Sequence, residues 1–250
     1  MICHVVNNNS KVGLPHRSAP RNDRAAFTLA EVLITLGVIG IVAAMTMPLL
    51  INNNRVKYLE NRFKKSSVIL ETALNDTMQE FALEVLLKTE SNLKYVNYRI
   101  SDTQRQVIND YFKSRFTDVQ TRNMNQVWNI NSYSKSGALL GTYGGGLTFS
   151  QNTSYPRELW LLPDGMSITP INFQEHNIYD GLKVILDTNG PYKGPNRYGY
   201  DVFVYDSGNY AVDVCADEAK NIMSIYGCYN YAKANQNPDD STKEYWESLK

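Results

Sequence analysis

Residues 24–51 read RAAFTLAEVLITLGVIGIVAAMTMPLLI, and after Arg24 their only charged side chain is Glu31. Residues 32–51 form a run of 20 without a charge. As a helix rising ~1.5 Å per residue, such a run covers ~30 Å, the thickness of a bilayer's hydrocarbon core. This predicts one transmembrane helix. A secretory signal would carry a shorter apolar stretch followed closely by small residues at a cleavage site. The residues that follow here, NNNRVKYLENRFKK, hold Arg55, Lys57, Arg62, Lys64 and Lys65 and no such site.

Ahead of the run, residues 1–26 hold Lys11, Arg17, Arg21 and Arg24 against Asp23, a net charge of +3. Both flanks are basic, and the leader's cluster lies closest to the start, which favours a cytoplasmic N-terminus. Over all 250 residues, 25 basic and 25 acidic side chains cancel, so the chain offers no basic footprint for nucleic acid. Without the leader, the rest carries −3. Its 17 tyrosines against 8 phenylalanines suit a wet, hydrogen-bonding surface of the kind exported domains present.

A carboxylate at membrane depth is costly and needs a partner, which makes Glu31 a functional candidate rather than a passenger in an anchor. No cation follows Phe27 in the first turns, so the partner must come from elsewhere. The stretch FTLAEV behind a short basic leader resembles the N-terminal processing motif of type IV prepilins and type II secretion pseudopilins, whose usual form is glycine followed by Phe-Thr-Leu-Ile-Glu. The resemblance implies that a membrane prepilin peptidase cuts between Ala26 and Phe27 on the cytoplasmic side and methylates the new Phe27 terminus. It also implies that Glu31 pairs with the Phe27 ammonium of another copy during filament assembly. Ala26 departs from the family's glycine. Pro48 falls at the twenty-second mature position, where many members also have proline, and it leaves the Ala44 carbonyl without an intrahelical donor. Gly37 and Gly40, with Ala43 and Ala44, would let helix backbones approach closely.

Past the span, Val56, Leu59, Phe63, Leu70, Leu74, Met78, Phe81 and Val85 recur at helical spacing, which extends the helix to about Leu87. Ser101 and Gln104 form the two ends of a capping box that opens a second helix over residues 101–117. The stretch SGALLGTYGGGLTFSQNTS, residues 136–154, reads as loop, and no lysine followed by Ser or Thr turns its glycines into a phosphate cradle. Strand-like runs then follow: ELWLLPDGMSITPI as a hairpin about Pro-Asp-Gly, GLKVILDTNG as a third run, and DVFVYDSGNYAVDV as a hairpin about residues 206–209. The fold class is α+β and pilin-like: a long N-terminal helix, half transmembrane, packed on a small antiparallel sheet. The expected organisation is a leader at 1–26 that is removed, a transmembrane part at 27–51, an extracytoplasmic continuation of the helix at 52–90 and a globular domain at 91–250.

His4 and His16 would leave with the leader, and His176 alone builds neither a zinc site nor a locatable triad, so no enzymatic activity is expected. The stretch DTNGPYKGPNRYGYD concentrates Asp187, Asn189, Asn196 and Asp201, oxygen donors of the kind calcium takes. It also resembles stretches in the globular parts of pilin-like proteins, some of which hold calcium in a loop of the sheet. The same residue types serve turns through their own backbone bonding, which is the favoured reading, and no cofactor is otherwise expected. With Cys3 gone, Cys215 and Cys228 remain on the side where disulfides form, and pilins often close a C-terminal loop in this way. Against it, ADEAKNIMSIY between them has helical character, and a straight helix there would part them by ~20 Å, beyond the ~7 Å a disulfide tolerates.

The expected function is structural: a subunit of a type IV pilus or type II secretion pseudopilus, anchored by one pass in the inner membrane and polymerised into an extracytoplasmic filament. Its partners would be other copies or related pilin-like subunits, prepilin peptidase and the assembly platform, with nucleic acid only for a competence pilin. The alternative is a minor tip subunit or a membrane-anchored module that binds a ligand or DNA.

Overall fold

The computed structural model describes residues 28–82, 101–127, 129–142, 158–173, 182–207, 214–216 and 227–249. The chain divides into two compact units, Met1–Met47 and Pro48–Lys250. Helix α1, Leu29–Glu80, begins in the first and ends in the second.

In the first unit α1 is long and apolar enough to cross a membrane. Leu33, Ile34, Leu36, Ile39 and Ile41 are all exposed, which is a stable arrangement only where lipid or other apolar helices replace water. Thr35 and Thr46 donate their hydroxyls to the carbonyls of Val32 and Val42, each at 2.9 Å, so the helix satisfies its own hydroxyls.

In the second unit α1 is amphipathic, and Val56, Leu59, Phe63, Leu70, Leu74 and Met78 bury one face in the core. The helix stops at Glu80, with Ala82 in a left-handed conformation at φ 49°, and the rest of the continuation expected to about Leu87 lies outside the described residues. No glycine or proline marks this end. Phe81 instead packs edge-on against Tyr111, with ring centroids 5.4 Å apart. Helix α2, Asp102–Ser114, starts as its sequence predicts: Ser101 Oγ accepts the Gln104 N–H, and Gln104 Oε1 accepts the Ser101 N–H at 2.9 Å. Helix α3 is the short Cys228–Ala234, closed by Asn235 in the left-handed region.

The main sheet contains β1 (Gln120–Asn123), β4 (Glu158–Leu161), β5 (Ser167–Ile168), β6 (Asn172–Phe173), β7 (Leu182–Asp187) and β8 (Val202–Asp206). Its order is β1-β4-β5-β7-β6, with β8 also on β7, and every pairing is antiparallel. β4 and β5 form the hairpin about Pro163-Asp164-Gly165. β5 and β6 follow one another along β7, and the register slips by one residue between Ile168↔Leu186 and Asn172↔Lys183. Pro170 sits in that gap, where a residue without an N–H cannot extend the ladder. β2 (Asn131–Tyr133) and β3 (Leu139–Thr142) make a separate hairpin. Part of the stretch expected to be loop is therefore strand. β8 supplies the first half of the hairpin expected about residues 206–209, whose second half lies outside the described residues, as do 83–100, 143–157, His176 and 217–226.

α1 joins the sheet through an aromatic knot. Phe63 meets Phe203 of β8 at 4.5 Å, Tyr229 of α3 at 5.3 Å and Trp246 at 5.5 Å. The Arg62 side chain donates Nε to the Thr188 carbonyl at 2.9 Å and both terminal nitrogens to the Asp164 carbonyl at 3.1 Å. Helix, β4–β5 turn and the end of β7 are thus held at one point.

Candidate functional site

The head of α1 is built by four residues, Thr28 to Glu31. Thr28 precedes the helix, and both its N–H and its hydroxyl donate to Glu31 Oε2 at 2.9 Å. Glu31 N–H donates back to Thr28 Oγ1 at 3.2 Å. This is a reciprocal capping box, which satisfies two of the N–H groups that a helix start leaves open. The TLAE spacing announces it, but the charge of Glu31 in an apolar run is the louder signal, and charge alone does not show that the side chain caps its own helix. Both bonds fall on Oε2, whereas an ionised carboxylate has about four acceptor positions over its two oxygens. Among the described residues no cation pairs with Glu31. Ala26 and Phe27 lie outside the described residues.

Gly37 and Gly40, about one turn apart, stand further along the helix, and a Cβ added at either would meet nothing within 4 Å. Within one chain their lack of a side chain relieves no clash. Pro48 lies inside α1, which continues through it as one element.

The four oxygen-bearing side chains of the loop after β7 are brought together: the two carboxylates accept backbone N–H groups, whereas the Oδ1 atoms of Asn189 and Asn196 are buried without a hydrogen-bond partner. Asp187 Oδ1 accepts the N–H groups of Asn189 at 3.1 Å and Gly190 at 2.7 Å. Asp201 accepts Asn196 N–H on Oδ2 at 3.0 Å and Arg197 N–H on Oδ1 at 2.7 Å. The side-chain amides of Asn189 and Asn196 donate to the carbonyls of Gly194 and Pro191. The Thr188 hydroxyl beside them is buried without a partner as well. Among the described residues no three His, Cys, Asp or Glu side chains are grouped to hold a metal. The loop also packs closely: Gly190 is at φ 83°, and a Cβ on it would stand 2.5 Å from the Gly165 carbonyl oxygen. Burial raises the Asp201 carboxyl to about 6.

Cys215 and Cys228 form a disulfide with their Cα atoms 4.6 Å apart. Helix α3 begins at Cys228 itself, and Gly227 N–H reaches the Val214 carbonyl at 2.9 Å, so the chain ends on either side of the bond run together. Next to it, Tyr245 donates its hydroxyl to the Gly199 carbonyl at 2.5 Å, and Trp246 Nε1 donates to the Ala232 carbonyl at 3.2 Å. Sequence reasoning did not find the ion pair of Lys183 and Asp206, 2.5 Å apart and 1% exposed on each side. The two residues face one another on β7 and β8, a register that appears only once the strands are paired.

Residues 21–47 match the family described as the prokaryotic N-terminal methylation motif. Neither the curated proteins nor the solved structures contain a match to this chain.

Proposed function

Starting from the prokaryotic N-terminal methylation motif at residues 21–47, which is the signature of type IV prepilins and pseudopilins, we propose that this chain is a processed structural subunit of a type IV pilus or a type II secretion pseudopilus. Prepilin peptidase removes residues 1–26 and methylates Phe27. Until it assembles, the subunit is held by α1 in the inner membrane, with its N-terminus on the cytoplasmic side. The assembly platform then draws it into a filament with other copies or related subunits. Its role is structural rather than catalytic.

The observation that carries this reading is the head of α1. Glu31 is the lone acid of the apolar run, its described bonds come only from Thr28, and its second oxygen is open to a cation. The ammonium created at Phe27 of a neighbouring copy supplies one, and in lipid such a pair fixes the register in which helices meet. Gly37 and Gly40 agree, because their small size matters only to a second backbone lying against them.

The capping box suggests the sharper of two variants. Glu31→Gln keeps an oxygen for Thr28 and discards the charge, whereas Glu31→Ala discards both. Each is expected to lose residues 1–26 and gain the methyl group, read by intact mass, and to yield no filaments on shearing. Normal filaments from Glu31→Gln would remove the ion pair from the assembly step, and a chain that keeps residues 1–26 in the wild type would remove the processing.

A further inference from the structure

Two guanidinium groups converge on one tyrosine in the second unit. Arg55 of α1 lies 5.7 Å from the centroid of the Tyr200 ring, and Arg197 lies 4.6 Å from it. Tyr200 is buried and donates its hydroxyl to the Leu249 carbonyl at 3.3 Å. Arg197 gives one terminal nitrogen to the Lys135 carbonyl, and its Nε is buried without a partner. The Lys135 ammonium in turn stands 5.3 Å over the ring of Tyr245. Among the described residues no carboxylate forms an ion pair with Arg55 or Arg197. Asp201, the acid beside Arg197, takes its backbone N–H rather than its guanidinium. Both guanidinium groups therefore carry a charge that no described carboxylate offsets, and an anion within reach of them would be attracted by both.

The position of Arg55 says which anion. It follows Ile51, the last residue of the apolar run, by four residues, or ~6 Å along a helix. The headgroup layer adds about 5–8 Å on each side of the hydrocarbon core, so Arg55 falls at the level of the lipid phosphates. Tyr58, one turn on, is 51% exposed, and tyrosine is the residue type that gathers at this depth. Resting on the membrane-anchored reading above, we propose that Arg55, Arg197 and Tyr200 form a site for the phosphate of an anionic phospholipid, which docks the globular unit on the bilayer surface before assembly. Arg55 contributes an exposed charge, and Arg197 is the planar donor held in place by Tyr200 and Lys135.

The test uses the full chain in bilayers of phosphatidylcholine mixed with phosphatidylglycerol, with retained lipid counted by native mass spectrometry. The wild type is expected to retain one phosphatidylglycerol in preference to phosphatidylcholine. Arg197→Gln and Arg55→Gln should each lower that occupancy about fivefold, the equivalent of ~1 kcal/mol per basic side chain near an anionic surface. Lys57→Gln removes an equal charge from the same exposed helix and should leave occupancy within about twofold, as a diffuse rather than stacked contact would. If Arg197→Gln loosens the β2–β3 hairpin through Lys135, the exposed Arg55→Gln carries the test. Equal retention of the two lipids, or a loss in Lys57→Gln as large as in Arg55→Gln, overturns the site. So does an Arg55→Gln chain that keeps its lipid but no longer forms filaments, since the anion would then be a carboxylate of a neighbouring subunit. Flotation with pure phosphatidylcholine vesicles checks the anchor separately, so failure of the anchor and failure of the site are told apart.

Discussion

Breaking the Cys215–Cys228 disulfide tests how the last part of the chain is held. The cysteines are 13 residues apart, and closing a loop of that length removes enough unfolded-state entropy to stabilise the fold by about 3 kcal/mol. For a chain of this size each kcal/mol moves the thermal midpoint by about 2–4 °C, so the expected loss is about 6–12 °C. Alanine is the right replacement at both positions, because both sulfurs are buried and a serine hydroxyl would bring a desolvation cost of its own. The effect should also spread beyond the loop. α3 starts at Cys228, and its Tyr229 and Lys233 both reach Glu71 of α1, at 3.0 and 2.6 Å. Near-UV circular dichroism of the full chain in detergent would follow the buried Trp160 and Trp246 through the melt. Reduced wild type and the Cys215→Ala/Cys228→Ala variant should melt together, well below oxidised wild type. If all three melt within about 2 °C of one another, the loop is held by its packing alone, and the entropy argument fails for this chain.

Phe63→Ala removes the ring that three others touch and leaves a cavity between α1, β8 and α3; it should cost about 3–5 kcal/mol in chemical denaturation, while Val68→Ala on the exposed face of the same helix should cost almost nothing. Asp201 gives a pH signature: burial raises its carboxyl from 3.8 to about 6, so between those values the folded chain binds more protons than the unfolded one. Its contribution to stability is therefore present in full below about 4 and is lost as pH rises through about 6. Asp201→Asn should flatten that part of the stability–pH curve, and an unchanged slope would assign it to another group. Asp240, held down to about 2 by its bonds to Thr242 and Lys243, acts below this window.

The sequence by itself determined the elements whose cause is local. An uncharged run of bilayer length is read from the sequence as a helix long and apolar enough to cross a membrane, because in hydrocarbon a helix pairs its own backbone groups. Ser101 and Gln104 cap α2 from within four residues, and Pro163-Asp164-Gly165 turns β4 into β5. The N-terminal methylation motif is equally local, read from consecutive side chains. In the loop after β7, the Asp carboxylates and Asn amides bond to N–H and C=O groups a few positions away, which is local turn bonding.

Other features needed the tertiary structure because their cause is distant in the chain. β1 carries QTRN, exposed at all four positions, and has no alternation to betray it; it is a strand because β4 offers it a ladder. β2, NSY, and β3, LLGT, are too short to show a period, and are held by their mutual pairing together with bonds from Tyr133 to residues 196 and 198. α1 ends where Phe81 meets Tyr111, a contact between residues 30 apart that no local propensity encodes. The approach of Cys215 to Cys228, the buried facing of Lys183 and Asp206, and the placing of Arg55 and Arg197 each by the Tyr200 ring likewise depend on how strands and loops return to α1. Periodicity tells a segment which face to bury; which distant face receives it is decided only by the packing of the whole chain.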